Sequence, residues 1–258
     1  MKNLILFILL LIFISCKKNK VIERINPENN EREIYNYIIK EGDTVLQGKS
    51  YTYNQDGALV LKCSYKNNKL DGNLYRFFDS GKLKEIQNLR NGMNDGIAVS
   101  YFKNGKINTL LTYSRDTLCG DGFYNYENGN LRKYMLYDSL GKVPFIIRLD
   151  SLGRIKSYEG KPVNCFLDSD KIKFGEKFKM DCMLANIPNT IRKVEFIYSD
   201  FHKGKIKIKK SGVNYLLLEE TKYKKGKNLL YVIVTYKFNK KYYNQILKDT
   251  AFIDYYVN

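Results

Sequence analysis

The sequence predicts an all-β chain, a single-layer meander of stacked β-hairpin repeats followed by an antiparallel β-sandwich. Three observations lead there. Glycines return with a period of 24 residues from Gly48 to Gly153. The composition favours strands, with 22 Tyr and 14 Phe against only four Pro and no Trp. Beyond residue 160 the period stops, and short apolar runs alternate with turn signals instead.

Lys2 gives a positive start, and Leu4 to Ile14 is an unbroken apolar run, the length of a signal-peptide core and too short to span a bilayer. Residues 1–15 are therefore expected to be a signal peptide. Phe13-Ile14-Ser15-Cys16 resembles a bacterial lipobox. That resemblance implies a lipid on Cys16, and two or more acyl chains make a stable anchor. Lys17 stands where inner-membrane retention would place Asp, which implies an outer-membrane protein facing the periplasm. Residues 16–33 are polar and charged and read as a tether.

Residues 34–160 read as the hairpin array. Ile34 to Ile39 and Thr44 to Leu46, around Glu41-Gly42-Asp43, form its expected leading hairpin. In the blocks that follow, Asp56-Gly57, Ser80-Gly81, Asn104-Gly105 and Asn128-Gly129 are turn dipeptides, and Gly153 continues their column. Leu59, Leu83, Ile107 and Leu131 recur two positions later, and Tyr65, Leu89, Tyr113 and Tyr137 six beyond those. Each block is expected to be strand, two-residue turn, strand, and a looser polar turn such as Arg90 to Asp95. One hairpin is marginal in water, so stacking has to bury the aliphatic and aromatic columns as the repeat core.

Blocks such as Tyr101-Phe102-Lys103-Asn104-Gly105-Lys106-Ile107, with Asn94-Asp95-Gly96 before them, resemble the bacterial variant of MORN repeats over roughly residues 45–160. The resemblance implies an elongated sheet used for interaction or scaffolding. It brings no catalytic residues.

Residues 161–258 read as the sandwich. Strands are expected at Val163–Leu167, 176–184, 192–198, 205–209, 213–219, 229–238 and 250–257. Seven short strands in that length resemble an immunoglobulin-type sandwich. Cys165 and Cys182 fall on strands that can pair, and their spacing admits either a disulfide or two buried thiols.

Candidate chemistry is sparse. His202 is the only histidine and lies in a Lys-rich turn, so no Ser-His-Asp or Cys-His arrangement can be assembled. Asp168 and Asp170 share a strand face but lack the further oxygens of a calcium loop. The cysteines lack zinc spacing. No catalytic residue, metal or cofactor is expected. The net charge of +17, from 44 Lys and Arg against 27 Asp and Glu, reads as a solvated basic surface. An export signal argues against nucleic acid as a partner. The reading is a non-enzymatic envelope lipoprotein, attached to the membrane through Cys16 and binding another envelope protein. The alternatives are a glycan- or peptidoglycan-binding module, or an antitoxin-like immunity protein that neutralises a periplasmic toxin.

Overall fold

The computed structural model describes residues 20–167, 169, 171–175, 178–198, 207–211, 215–220, 224–238 and 245–258. Every regular element among them is a strand. Cys16 and the rest of residues 1–19, Asp168, Asp170, His202, Lys203 and Lys205 lie outside the described residues.

The array is one antiparallel sheet. Its strands are β1 (Lys20–Ile25), β2 (Arg32–Lys40), β3 (Asp43–Tyr53), β4 (Leu59–Lys66), β5 (Lys69–Leu70), β6 (Gly72–Phe77), β7 (Leu83–Arg90), β8 (Met93–Tyr101), β9 (Ile107–Ser114), β10 (Thr117–Leu118), β11 (Gly120–Asn125), β12 (Leu131–Tyr137), β13 (Phe145–Leu149) and β14 (Ile155–Gly160). They follow one another in chain order, with β5 and β10 as short side pairings of β4 and β9. The meander starts earlier than the sequence reading placed it. Lys20–Ile25, assigned there to the tether, pairs residue for residue with Arg32–Tyr37. The polar composition that suggested a tether belongs to an exposed edge strand, held by the Arg24–Glu33 ion pair at 2.6 Å.

The two edges of the sheet use different turns, and the expected assignment is reversed. At the Asp56-Gly57 type, only the glycine has positive φ (79° at Gly57, 83° at Gly105). The Gly57 N–H donates to the Asn54 carbonyl and the Asn54 N–H to the Ala58 carbonyl. This is a type I turn closed by a left-handed glycine, longer than the two-residue turn expected. The two-residue turns sit on the other edge, where Asn67-Asn68, Asn91-Gly92 and Arg115-Asp116 hold positive φ at both positions. Their twist matches that of the flanking strands, so Arg90 pairs directly with Met93 and no looser loop is needed.

Beside each glycine turn lies a β-bulge. Register shifts recur at Thr52/Tyr53, Arg76/Phe77, Ser100/Tyr101, Tyr124/Asn125 and Arg148/Leu149. The edges are also stitched between repeats. Asn104 Nδ2 donates to the Glu127 carbonyl (2.9 Å) and Asn128 Nδ2 to that of Ser151 (3.1 Å). On the opposite edge Asp116 Oδ1 accepts from the Asn94 N–H (2.7 Å).

The C-terminal region forms two four-stranded sheets. One runs β15 (Val163–Leu167), β17 (Phe178–Leu184), β20 (Tyr215–Glu220), β19 (Lys207–Ser211). The other runs β16 (Lys171–Ile172), β22 (Ile246–Val257), β21 (Gly226–Phe238), β18 (Thr190–Tyr198). Both contribute to one hydrophobic core, with Met180, Cys182 and Leu184 from the first and Leu230, Val232, Val234, Ile253 and Tyr255 from the second. Cys165 and Cys182 occupy directly paired positions of β15 and β17 and form a disulfide.

That core does not stop at residue 160. Tyr134, Leu136, Phe145, Ile147 and Leu149 of the last array strands belong to the same buried cluster.

Candidate interaction surface

Strand alternation gives the array two faces. On one, register connects Tyr75, Ile86, Val99, Leu110, Phe123, Tyr134 and Ile147 in an unbroken row across seven strands. At its C-terminal end the row is covered, and Tyr134 and Ile147 are both 0% exposed. Toward the N-terminus the same row is only half-buried, and its neighbours Ile97 and Ile107 are 50% and 37% exposed.

The covered end is a polar junction set in an apolar one. The Tyr134 ring packs against Phe123 and Phe145, with centroids 5.6 and 6.2 Å away. Its hydroxyl donates to Asp121 Oδ1 (2.6 Å) and accepts from the Asn186 backbone N–H (2.8 Å). Asn186 Nδ2 reaches Asp121 Oδ2 at 3.4 Å. Burial pushes the Asp121 carboxyl up from its ordinary pKa, against the pull of the hydrogen bonds from Tyr134 and Asn186. The next carbonyl back, of Ala185, accepts from the Tyr236 hydroxyl (2.8 Å) and from Arg192 Nη1 (3.1 Å). Gln245 Oε1 takes the Ile155 N–H at 3.0 Å. Buried polar groups satisfied in this way fix one docking geometry.

The opposite face is mixed in character. Its buried row contains Ser50, Cys63, Leu74 and Ala98, all under 9% exposed. Tyr65, Leu89 and Tyr113 lie half-buried on this side and Tyr137 is 5% exposed. The expected repeat core thus divides between two faces. Leu59, Leu83 and Leu131 are half-buried and Ile107 is exposed, because a single layer offers no second layer to cover them. The turn glycines Gly57, Gly81, Gly105, Gly129 and Gly153 all take the left-handed conformation.

Three hollows open on the array. One of about 450 Å³ is lined by Tyr126, Arg132, Lys133, Arg148, Leu149, Lys156 and Ser157. One of about 460 Å³ near the N-terminal end includes Glu31, Glu33, Arg76, Asp79 and Lys84. One of about 590 Å³ lies between the array and the C-terminal sheets, where Cys119, Tyr137 and Leu140 face Phe166, Met183 and Tyr215.

Residues 46–67, 70–91 and 94–114 match a family described as the MORN repeat variant. These segments are MORN-variant repeats. They cover the hairpins from β3 to β9; the hairpins beyond keep the same glycine turn, as in the Gly129 N–H to Tyr126 carbonyl bond. No curated protein matches the chain.

The junction residues Asp121, Tyr134 and Asn186 were not legible in the sequence. The only signal was an acid at 121 where the repeat columns carry Lys49, Asn73 and Ile97.

Proposed function

We propose that this chain is a non-enzymatic binding or scaffolding module of the cell envelope, held on the outer membrane by a lipid on Cys16 and facing the periplasm, with the MORN-variant repeats receiving another envelope protein. The apolar row from Tyr75 to Ile147 carries this reading. At one end it already seats a folded unit of this chain, and it continues uncovered with the same chemistry. Contiguous apolar surface on a stable sheet is the usual mark of a protein contact.

The C-terminal region supports an immunoglobulin-like reading. Leaving out the two-residue β16, its seven strands run first-second-fifth-fourth in one sheet and seventh-sixth-third in the other. That is the strand order of a constant-type immunoglobulin sandwich. Such units commonly act as interaction modules, although fold alone assigns no activity.

Sugar binding by the array is less well supported, because it calls for exposed aromatic rings on one sheet face. Among the described residues, the exposed rings are Phe166, Phe174, Tyr215, Phe252 and Tyr256 in the C-terminal region, and Tyr158 on the last array strand.

A photocrosslinking residue placed at Ile97 or Ile107 in intact cells should yield one reproducible protein adduct, absent when the probe is moved to exposed Arg76 on the opposite face. Adducts that are the same from both positions, or none, would refute the protein-binding reading. Metabolic labelling with a fatty acid tests the anchor, and label that survives Cys16→Ala would remove it.

A further inference from the structure

On the face opposite the apolar row, each hairpin places two side chains directly across from each other beside its bulge. Arg76, Ser100, Tyr124 and Arg148 hold one position of the repeat, and Glu85, Thr109, Lys133 and Ser157 hold its partner. The first three pairs are chemically matched. Arg76 makes an ion pair with Glu85 at 3.4 Å. The Ser100 and Thr109 hydroxyls share a hydrogen bond of 2.7 Å. The Lys133 ammonium sits 3.9 Å above the Tyr124 ring.

The next strand pair breaks this matching. Lys133 lies directly opposite Arg148, and like charges so placed destabilise a sheet. Two more cations come from the bulges, since Arg132 and Lys156 are the extra residues at the register shifts of β12 and β14. All four line the cavity of about 450 Å³, and among the described residues no carboxylate lines it with them. Arg148 has an ion pair with Glu159 at 2.5 Å. Among the described residues, Arg132, Lys133 and Lys156 have no ion-pair partner. Burial, together with the charges of Arg132 and Arg148, lowers the pKa of Lys133.

The array supplies an internal comparison. Three repeats upstream, the equivalent positions Leu61, Arg76, Phe77 and Lys84 line a hollow of nearly the same size, about 460 Å³. There Glu31, Glu33 and Asp79 join the cations. The same repeat positions thus line both hollows, with acids beside the cations in the upstream one and cations alone in the other.

We propose that the cavity formed by Arg132, Lys133, Arg148 and Lys156 binds a phosphoryl group, carried either by a small soluble phosphate ester or by a lipid headgroup. A phosphoryl group brings up to two negative charges and several acceptor oxygens in a small volume, which suits several cations around one cavity. The guanidinium of Arg132 offers the planar fork that binds such oxyanions in pairs of hydrogen bonds. The Ser157 hydroxyl adds a neutral donor.

The test uses the full chain and two probes at fixed ionic strength. Pyrophosphate is titrated by calorimetry, and phosphatidylcholine vesicles with and without phosphatidylglycerol are tested by co-sedimentation. Saturable binding is expected, weakened about tenfold or more in the Arg132→Gln/Lys156→Gln variant, since charged hydrogen bonds are lost. Lys84→Gln, at the equivalent site upstream, should leave it unchanged. Pyrophosphate binding points to a soluble ester. Binding only to phosphatidylglycerol vesicles, lost in the same variant, points to a headgroup. If neither probe binds, or if the double variant binds both as the parent does, the proposal is overturned. Should the double variant not fold by circular dichroism, Lys156→Gln alone, on the last strand, gives the same readout.

Discussion

Replacing Tyr134 with Phe removes one oxygen from the centre of the junction and leaves the ring packing in place. The loss has two parts. The Asp121 carboxylate forfeits a charge-assisted hydrogen bond of 2.6 Å, and the Asn186 N–H is left without the acceptor it had at 2.8 Å. A hydrogen bond to a charged group is worth about 1.5–3 kcal/mol, and an orphaned buried donor costs about 1–3 kcal/mol. Tyr134 is fully buried, so little water can replace what is lost, and a total of about 3–4 kcal/mol is expected. With a urea dependence of about 2–3 kcal/mol per M, the unfolding midpoint should fall by roughly 1–2 M. Asp121→Asn, which keeps an acceptor and removes the buried charge, should change stability by about 1 kcal/mol or less. The double variant should then be more stable than the sum of the single effects predicts, because the two residues interact directly. A midpoint shift below about 0.3 M for Tyr134→Phe, or strict additivity in the cycle, would show that the hydroxyl does not hold the junction.

Four further outcomes follow from the same structure. The folded-state pKa of Asp121 is raised by burial, so the folded chain binds the extra proton and stability should fall as pH rises from about 4 through the raised value, then level off. Urea midpoints of the parent minus Asp121→Asn should trace that fall, and a flat difference would refute it. Gly105→Ala should cost only about 1–2 kcal/mol, since the left-handed φ of 83° is strained for Ala while nothing lies within 4 Å of the new methyl. Gly160→Ala should cost about 3–5 kcal/mol by thermal unfolding, because its methyl would run into the Pro144 carbonyl as well. Replacing Cys165 and Cys182 together by Ala should cost about 3 kcal/mol, given a closed loop with a sequence separation of 17.

The repeat was legible because its determinants are local. A left-handed glycine is needed at each of Gly57, Gly81, Gly105, Gly129 and Gly153, and no other residue takes that conformation as readily. The C-terminal strands were legible for a similar reason; β22 alternates buried Leu247, Ala251, Ile253, Tyr255 and Val257 with exposed residues. The turn types were not legible. Asn-Gly fits both a two-residue turn and a type I turn closed by glycine, and only the register decides. Lys20–Ile25 was misread because an edge strand with every residue exposed has the composition of a tether. Asp121, Tyr134 and Asn186 depend on contacts between residues far apart in the chain, which no local pattern encodes. Two of the four cations of the basic cavity, Arg132 and Lys156, could have been found by aligning the blocks, where they share one column with Val60, Lys84 and Asn108.

The meander adds its strands strictly in chain order, so the array behaves as a ruler. Neighbouring strands lie about 4.8 Å apart, and one 24-residue unit contributes two of them. Duplicating or excising a unit between Gly72 and Gly120 would move the C-terminal sheets about 10 Å farther from or nearer to residue 20, with both terminal hairpins and the Tyr134 junction untouched. Evolution could therefore set the distance between the two ends in even steps by copying one short stretch of gene.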